Sequence, residues 1–343
     1  MTVMTASKLT HPSDEVHIAE LPNGNKLLTV KCNDEAAYVP RCTCETSYPQ
    51  DLINVLLDFH GPAWVCEAIA RYEDSQYIEA EIRANLFAFF DEEDFVGKRM
   101  LDFGCGGGSS TICLAKMLPE TEFVGTELDP KRVALAQVVA KYYGLENIRF
   151  HTSPSGNEVP GGIGEFDFCM MSAVYEHLLP EERATVMPMI WSHLKPGGAL
   201  FINQTPHRYY PIEAHSTGLP LLNYLPDGLA FPLARRMSRF RSLRNDSEYD
   251  LLRGGLRGGT EREILNILRK NTEYRPILLE VLRNGRGDRI DAWHSRLNPN
   301  RWRTAKTVLK GVLKIIKATT GTVLTENLTL TIQKETRKTS EVR

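Results

Sequence analysis

The run from Arg99 to Ala115, Arg-Met-Leu-Asp-Phe-Gly-Cys-Gly-Gly-Gly-Ser-Ser-Thr-Ile-Cys-Leu-Ala, constrains the fold of this 343-residue chain more than any other stretch. Met100 to Phe103 is short and apolar, as a strand buried on both faces would be, and Ser109 to Met117 has the small and apolar residues of a packed helix. Between them, Gly104, Gly106 and Gly108 let the backbone turn tightly and come close to a ligand. A strand, a glycine turn and a helix in that order predict an open α/β sheet, whose ligands sit beyond the carboxyl ends of its strands.

The chemistry of the turn narrows the ligand. A dinucleotide-binding turn has its third glycine where this chain has Ser109, and a phosphate-binding loop would carry a lysine that is missing here. What remains, Asp102-x-Gly104-x-Gly106-x-Gly108, is an uncharged cradle preceded by an acid. This pattern resembles the first motif of the class I S-adenosyl-L-methionine (SAM) methyltransferases. The resemblance continues in order: Thr121 to Gly125 as a second strand leading to Glu127, Glu165 to Ser172 as the fourth strand, and Leu194 to Asn203 as the turn and fifth strand. It spans Val96 to Thr205, and Thr325 to Lys334 looks like the closing strand.

The resemblance implies an α/β fold with a Rossmann-like, seven-stranded, mostly parallel sheet flanked by helices. It also implies SAM as cofactor, with Asp102, Gly104, Cys105, Gly106, Gly108, Glu127, Leu128, Ser153 and Ser172 around it. Glu127 stands where the family keeps an acid for the ribose; a carboxylate only accepts, so two vicinal hydroxyls can donate to it together. After the third strand, Ser153 and Ser155 replace the acid that many members place near the adenine amino group. Cys105 is expected to be a small residue in a tight turn, since no second cysteine stands at CxxC spacing.

The chain is longer than one minimal core of this kind. We expect an N-terminal extension and helical cap over 1–95, the core over 96–205, a basic and apolar substrate insertion over 206–317, the closing strand over 318–335 and a tail over 336–343. Helical spacing of Leu52, Val55, Leu56 and Phe59 opens the cap, Gly61-Pro62 punctuates it, and a second periodic run extends from Tyr77 to Phe90. The insertion holds 22 Lys and Arg against 11 Asp and Glu, while the rest of the chain holds 19 against 32. Such a split fits either an anionic partner or a basic subdomain docked on an acidic core. Gly218 to Asp227 is apolar but broken by prolines, and is expected to form an apolar lip. From Trp302 to Lys317, one side of a helix gathers Arg303, Lys306, Lys310, Lys314 and Lys317, and the other Trp302, Val308, Leu309, Val312, Leu313 and Ile316.

Seven scattered cysteines fit reduced thiols better than a disulfide framework, and Cys32, Cys42 and Cys44 with Cys66 match no standard zinc spacing, so no metal is expected. Met1 to Glu20 lacks the apolar core of a secretion signal. The expected location is cytoplasmic, with peripheral membrane contact through the basic helix as the extension of that reading. No feature fixes an oligomeric state.

A sulfonium already activates its methyl group, so the protein must align the reactants, exclude water and take a proton from the acceptor. Candidates for the base follow the fourth and fifth strands: His177, His207, Glu213 and His215. The Asn/Asp-Pro-Pro-aromatic motif of amine and DNA methylation is replaced by Ser172-Ala-Val-Tyr175, which argues against nucleic acid and for an oxygen of a small-molecule or lipid-linked acceptor. The alternatives are an RNA methyltransferase using the arginines from Arg235 to Arg257, and a SAM-binding protein without turnover.

Overall fold

The computed structural model describes residues 6–11, 14–32, 39–239, 243–281, 287–296 and 303–338. Four strands come first, β1 (Ala6–His11), β2 (Asp14–Glu20), β3 (Lys26–Cys32) and β4 (Thr43–Thr46), and they form an antiparallel sheet in that order. Val16 and Ile18 point inward while His17 between them is exposed, the period-2 alternation of a sheet with one wet face. The helices expected after Tyr48 follow as α1 (Gln50–His60), α2 (Pro62–Glu73) and α3 (Ala80–Asn85). Gly61 separates the first two at φ 73°, and Pro62 occupies the first helical position, where its missing N–H costs nothing.

The core then alternates: β5 (Arg99–Phe103), α4 (Ser109–Met117), β6 (Glu122–Glu127), α5 (Pro130–Tyr142), β7 (Ile148–Thr152), β8 (Phe166–Ser172), α6 (Pro180–Ser192) and β9 (Leu194–Pro206). A small hairpin, β10 (Ile212–Glu213) and β11 (Leu219–Pro220), leads to α7 (Asp227–Met237), α8 (Glu248–Arg253), α9 (Glu261–Asn271), β12 (Tyr274–Leu278), α10 (Arg289–Arg296), α11 (Arg303–Thr320) and β13 (Asn327–Lys338). Seven strands share one sheet in the order β7-β6-β5-β8-β9-β13-β12. The first five are mutually parallel, and β13 runs antiparallel to both neighbours. The predicted Rossmann-like sheet is therefore present.

Successive residues of β5 serve opposite layers. Met100 packs with Ile112, Phe123, Val139 and the N-terminal layer of α1, α2 and Val16, while Leu101 packs with Val124, Met171, Trp191 and Ile264 under α6 and α9. Each large side chain so buried contributes about 1.5–3 kcal/mol relative to exposure, and together the two layers hold the carboxyl ends of β5, β6, β8 and β9 in fixed relation.

Two expectations for 206–317 need correction. The stretch is not one insertion, because β12 within it is the edge strand of the core sheet and α9 lies against α6. The basic helix also faces the other way. In α11 the lysines turn inward: Lys310 Nζ lies 2.6 Å and Lys314 Nζ 2.9 Å from Asp291 on α10, and Lys317 Nζ lies 3.4 Å from Asp288. Leu313 is buried, but Val308 and Ile315 are 62% and 65% exposed. Three of the five cations expected to meet an anionic surface, Lys310, Lys314 and Lys317, are thus occupied within the fold. Trp302 lies outside the described residues. Among the described residues, no helix is long and apolar enough to cross a membrane.

The Gly218 to Asp227 segment is likewise less open than a lip. Leu219 and Leu222 are buried with Phe231, Leu243, Leu251 and Leu256 in a small core of their own, and Leu221 and Tyr224 remain exposed.

Candidate functional site

The glycine turn joins β5 to α4 with Gly104, Gly106 and Gly108 at φ 74°, 56° and 82°. Only the outer two are hemmed in. A Cβ on Gly104 would lie 2.7 Å from Val174 Cγ2, and one on Gly108 2.8 Å from both Ala136 Cβ and Phe150 Cζ. At Gly106 the nearest atom is Arg132 Nη1 at 3.7 Å, so that position opens outward. The Gly106 N–H donates to Glu127 Oε2 at 3.0 Å, and Glu127 Oε1 accepts from the Leu128 and Asp129 N–H groups at 2.8 and 3.1 Å. A carboxylate offers about four lone-pair sites. Three are filled, so Glu127 must release at least one backbone partner to take both hydroxyls of a ribose.

Asp102, one residue before the end of β5, is fully buried, and its carboxylate accepts a hydrogen bond from Thr111 Oγ1 at 2.6 Å. Burial raises its pKa to about 7 against the Thr111 bond, with the nearby Glu127 charge adding to the rise. A buried acid with so little support suits a cationic ligand, and SAM carries a sulfonium. Because the folded pKa lies above the ordinary 3.8, the folded state holds more protons than the unfolded chain between those values, and stability falls as pH rises through that window. Asp102→Asn keeps the shape without the charge. We expect it to melt at a higher temperature than the parent at pH 8, by a gain on the order of a few kcal/mol, and to match it near pH 4; equal melting curves at both pH values would show that the carboxyl carries no such cost.

The other expected cofactor residues gather at the same edge. Ser153 is buried just beyond β7 and its N–H donates to the Glu127 carbonyl at 2.8 Å, Ser172 closes β8, and Leu128 is 54% exposed beside Glu127. Burial pushes the Cys105 thiol up, which fits a neutral small residue in the turn. Ser155 instead donates to Asn157 Oδ1. Sequence pattern does not single out Tyr72, whose hydroxyl reaches down from α2 and donates to the Gly107 carbonyl at 2.6 Å. The helical cap thus holds the floor of the turn directly.

Past the carboxyl ends of β8 and β9, a cavity of about 350 Å³ is lined by Ala173, Gln204, His207, His215, Asn223 and Arg257 among others. Ala173 and Gln204, just past β8 and near the end of β9, have φ 54° and 59°. Left-handed backbone at a non-glycine residue costs of order 1–3 kcal/mol and gathers at binding sites. Gln204 also bonds Glu81 of α3, closing the cavity under the helical cap.

The four candidate bases are not equivalent. Glu213 is buried, and its two oxygens accept from the N–H groups of His215, Ser216 and Thr217 and from Thr217 Oγ1, so it ties the loop together. His207 accepts the Tyr209 N–H on Nδ1 at 3.0 Å, which leaves its proton on Nε2, and burial lowers its pKa to about 4. It offers a donor. His177 has the opposite arrangement: Nδ1 lies 2.6 Å from the Arg253 carbonyl, which can only accept, so Nδ1 carries the proton and Nε2 keeps its lone pair. Nε2 lies 3.9 Å from Glu176 Oε1, and the His215 ring stands 5.6 Å away. Among the described residues, Glu176, His177 and His215 form the one His/Cys/Asp/Glu group close enough to hold a metal ion; Cys32, Cys42, Cys44 and Cys66 do not form one.

Sheet order, glycine turn and acid-tipped second strand together match those of a class I SAM-dependent methyltransferase domain, and SAM is the cofactor that such a cradle fits. Residues 100–198 match the family described as "Methyltransferase domain". Among individual proteins, the chain is 27% identical to trans-aconitate 2-methyltransferase of Deinococcus radiodurans over 40% of this chain and 48% of that protein. It is 26% identical to ubiquinone biosynthesis O-methyltransferase of Acinetobacter baumannii over 33% of this chain and 47% of that one. An uncharacterised Synechocystis protein is 26% identical over 30% of this chain and 20% of its own length, so the chain spans about half or less of the curated relatives it matches. Among solved structures, a Galdieria sulphuraria protein described as a putative sarcosine dimethylglycine methyltransferase superposes with a TM-score of 0.43 at 14% identity, covering 80% of this chain and 88% of that one.

Proposed function

We propose that this chain transfers the methyl group of SAM to an oxygen of a small or lipid-linked acceptor, with His177 taking the acceptor's proton. The observation that carries this reading is the 2.6 Å contact of His177 Nδ1 with the Arg253 carbonyl, which turns Nε2 of a residue just past β8 toward the buried Glu176 carboxylate. Asp102, Gly104 to Gly108, Glu127, Leu128, Ser153 and Ser172 would hold the cofactor. They would leave its methyl group at the carboxyl edge, facing the side of the sheet where the cavity lies. SAM supplies the activated methyl. The protein's contribution is alignment, exclusion of water and removal of one proton. The cavity's imidazoles, amides and guanidinium favour a polar acceptor end.

The RNA reading is weakened, because three of the seven arginines between Arg235 and Arg257 are engaged within the fold. Arg235 Nε donates to the Asp246 carbonyl, Arg253 pairs with Glu182 of α6, and Arg257 pairs with Asp227, so these three arginines serve the fold. Incubation with SAM and a panel of hydroxylated and amino acceptors tests the proposal, with S-adenosylhomocysteine (SAH) formation as readout. We expect turnover with a hydroxylated acceptor and none with RNA. Release of SAH with amines alone would overturn the oxygen assignment, and SAM binding without SAH from any acceptor would support a binding protein without turnover.

A further inference from the structure

We propose that Glu176, His177 and His215 form a binding site for one divalent first-row transition ion, at the rim of the cavity that His215 lines. One ligand atom from each lies within 4.8 Å of the others. Two imidazoles and one carboxylate, with the remaining positions open, are a donor set that suits zinc or iron.

Three features beyond proximity point to a ligand. Glu176 has a side chain with no exposure to solvent, its Oε2 accepts from Thr205 Oγ1 at 3.0 Å, and its Oε1 is buried with no hydrogen-bond partner. An orphaned buried carboxylate oxygen costs free energy unless something charged meets it. His177 is already oriented as metal-bound histidines are, with the far ring nitrogen donating to a carbonyl and the near one free. Gly255, at φ 84°, leaves the space the group occupies: a Cβ there would lie 2.7 Å from His215 Cδ2 and 3.1 Å from Glu176 Cγ. Tetrahedral ligands about 2.0–2.2 Å from an ion lie roughly 3.3–3.5 Å apart, so closure asks shifts of about 1 Å of two imidazoles that are not fully enclosed.

This site changes the role of His177 in the reaction proposed above, and that consequence rests on that proposal. With an ion bound, Nε2 is a ligand and no longer a base; the ion would instead hold an acceptor oxygen and ease loss of its proton to solvent. Binding itself depends on neither SAM nor acceptor, so it can be tested alone.

The test is titration of the chelator-stripped full chain with Zn²⁺ against a chromophoric competitor, with Co²⁺ absorption as a second readout. We expect one Zn²⁺ per chain, weakened about 100-fold or more in His215→Ala and Glu176→Gln and about tenfold in Thr205→Val, which removes the hydroxyl that orients Glu176. His215 is exposed, so its truncation leaves the fold intact. No Zn²⁺ uptake by the parent, or uptake unchanged in His215→Ala, overturns the site. SAM binding measured on the same stripped protein keeps that result separate from any failure of the methyltransferase reading.

Discussion

Gly106→Val is expected to lose SAM affinity by about 100-fold or more while remaining folded. The two halves of that result have separate causes. Gly106 sits at φ 56°, and holding a β-branched residue there costs about 1–3 kcal/mol. A Cβ at this position otherwise meets only the far end of Arg132, at 3.7 Å. The strain lowers the melting temperature without collapsing the core. The side chain, however, fills the space above the turn and disturbs the N–H that holds Glu127 in place; hydrogen bonds to a charged group contribute about 1.5–3 kcal/mol each. Gly108→Ala provides the contrast, because its methyl group would enter the layer of Ala136 and Phe150 and should damage folding first. Calorimetry with SAM, alongside thermal melting of both variants, decides the matter. If Gly106→Val binds SAM as tightly as the parent, the cradle lies elsewhere.

The parallel core could be read from the sequence because strands buried on both faces are near-continuous apolar runs, as in Met100 to Phe103 and Phe166 to Met171, each broken by a single aspartate, and because glycine turns mark where they end. Elements with weaker local signals went unread. Strand β12 carries Pro276, which an edge strand tolerates and a central one does not, so nothing local distinguished it from a loop. The N-terminal sheet rests on short alternations such as Val16 and Ile18, and their inward face becomes meaningful only once α1 and α2 cover it. For α11, periodicity gave the two faces correctly but could not say which faces inward. Asp288 and Asp291 settle that from another helix, through pairing with Lys310, Lys314 and Lys317.

The site shows the same limit at the scale of single atoms. Residue type and position after a strand marked His177, His207, Glu213 and His215 alike, since all can accept a proton. What separates them is which backbone groups come near each, a product of tertiary structure: three N–H groups close on Glu213, one N–H on His207 Nδ1, and a carbonyl on His177 Nδ1. Tyr72 was silent for a related reason, because a tyrosine in an apolar helix looks like core until its hydroxyl is seen against Gly107.

His177→Gln should therefore lower turnover by about 10²–10⁴-fold, the usual contribution of a positioned base, with SAM affinity unchanged. Glutamine keeps an N–H to offer the Arg253 carbonyl but has no basic nitrogen, so the variant removes proton transfer and spares positioning. Arg253 stays anchored in any case by Glu182, and the half-exposed His177 ring leaves no large void. His207→Gln should affect stability more than rate, because the parent ring is buried and holds its proton on the wrong nitrogen for this task. Wild-type turnover in His177→Gln would remove it from the chemistry. Adding a chelator separates the two roles this residue could play: activity that persists in the stripped parent but disappears in His177→Gln identifies a base, whereas activity that disappears in both and returns with Zn²⁺ only in the parent identifies a ligand.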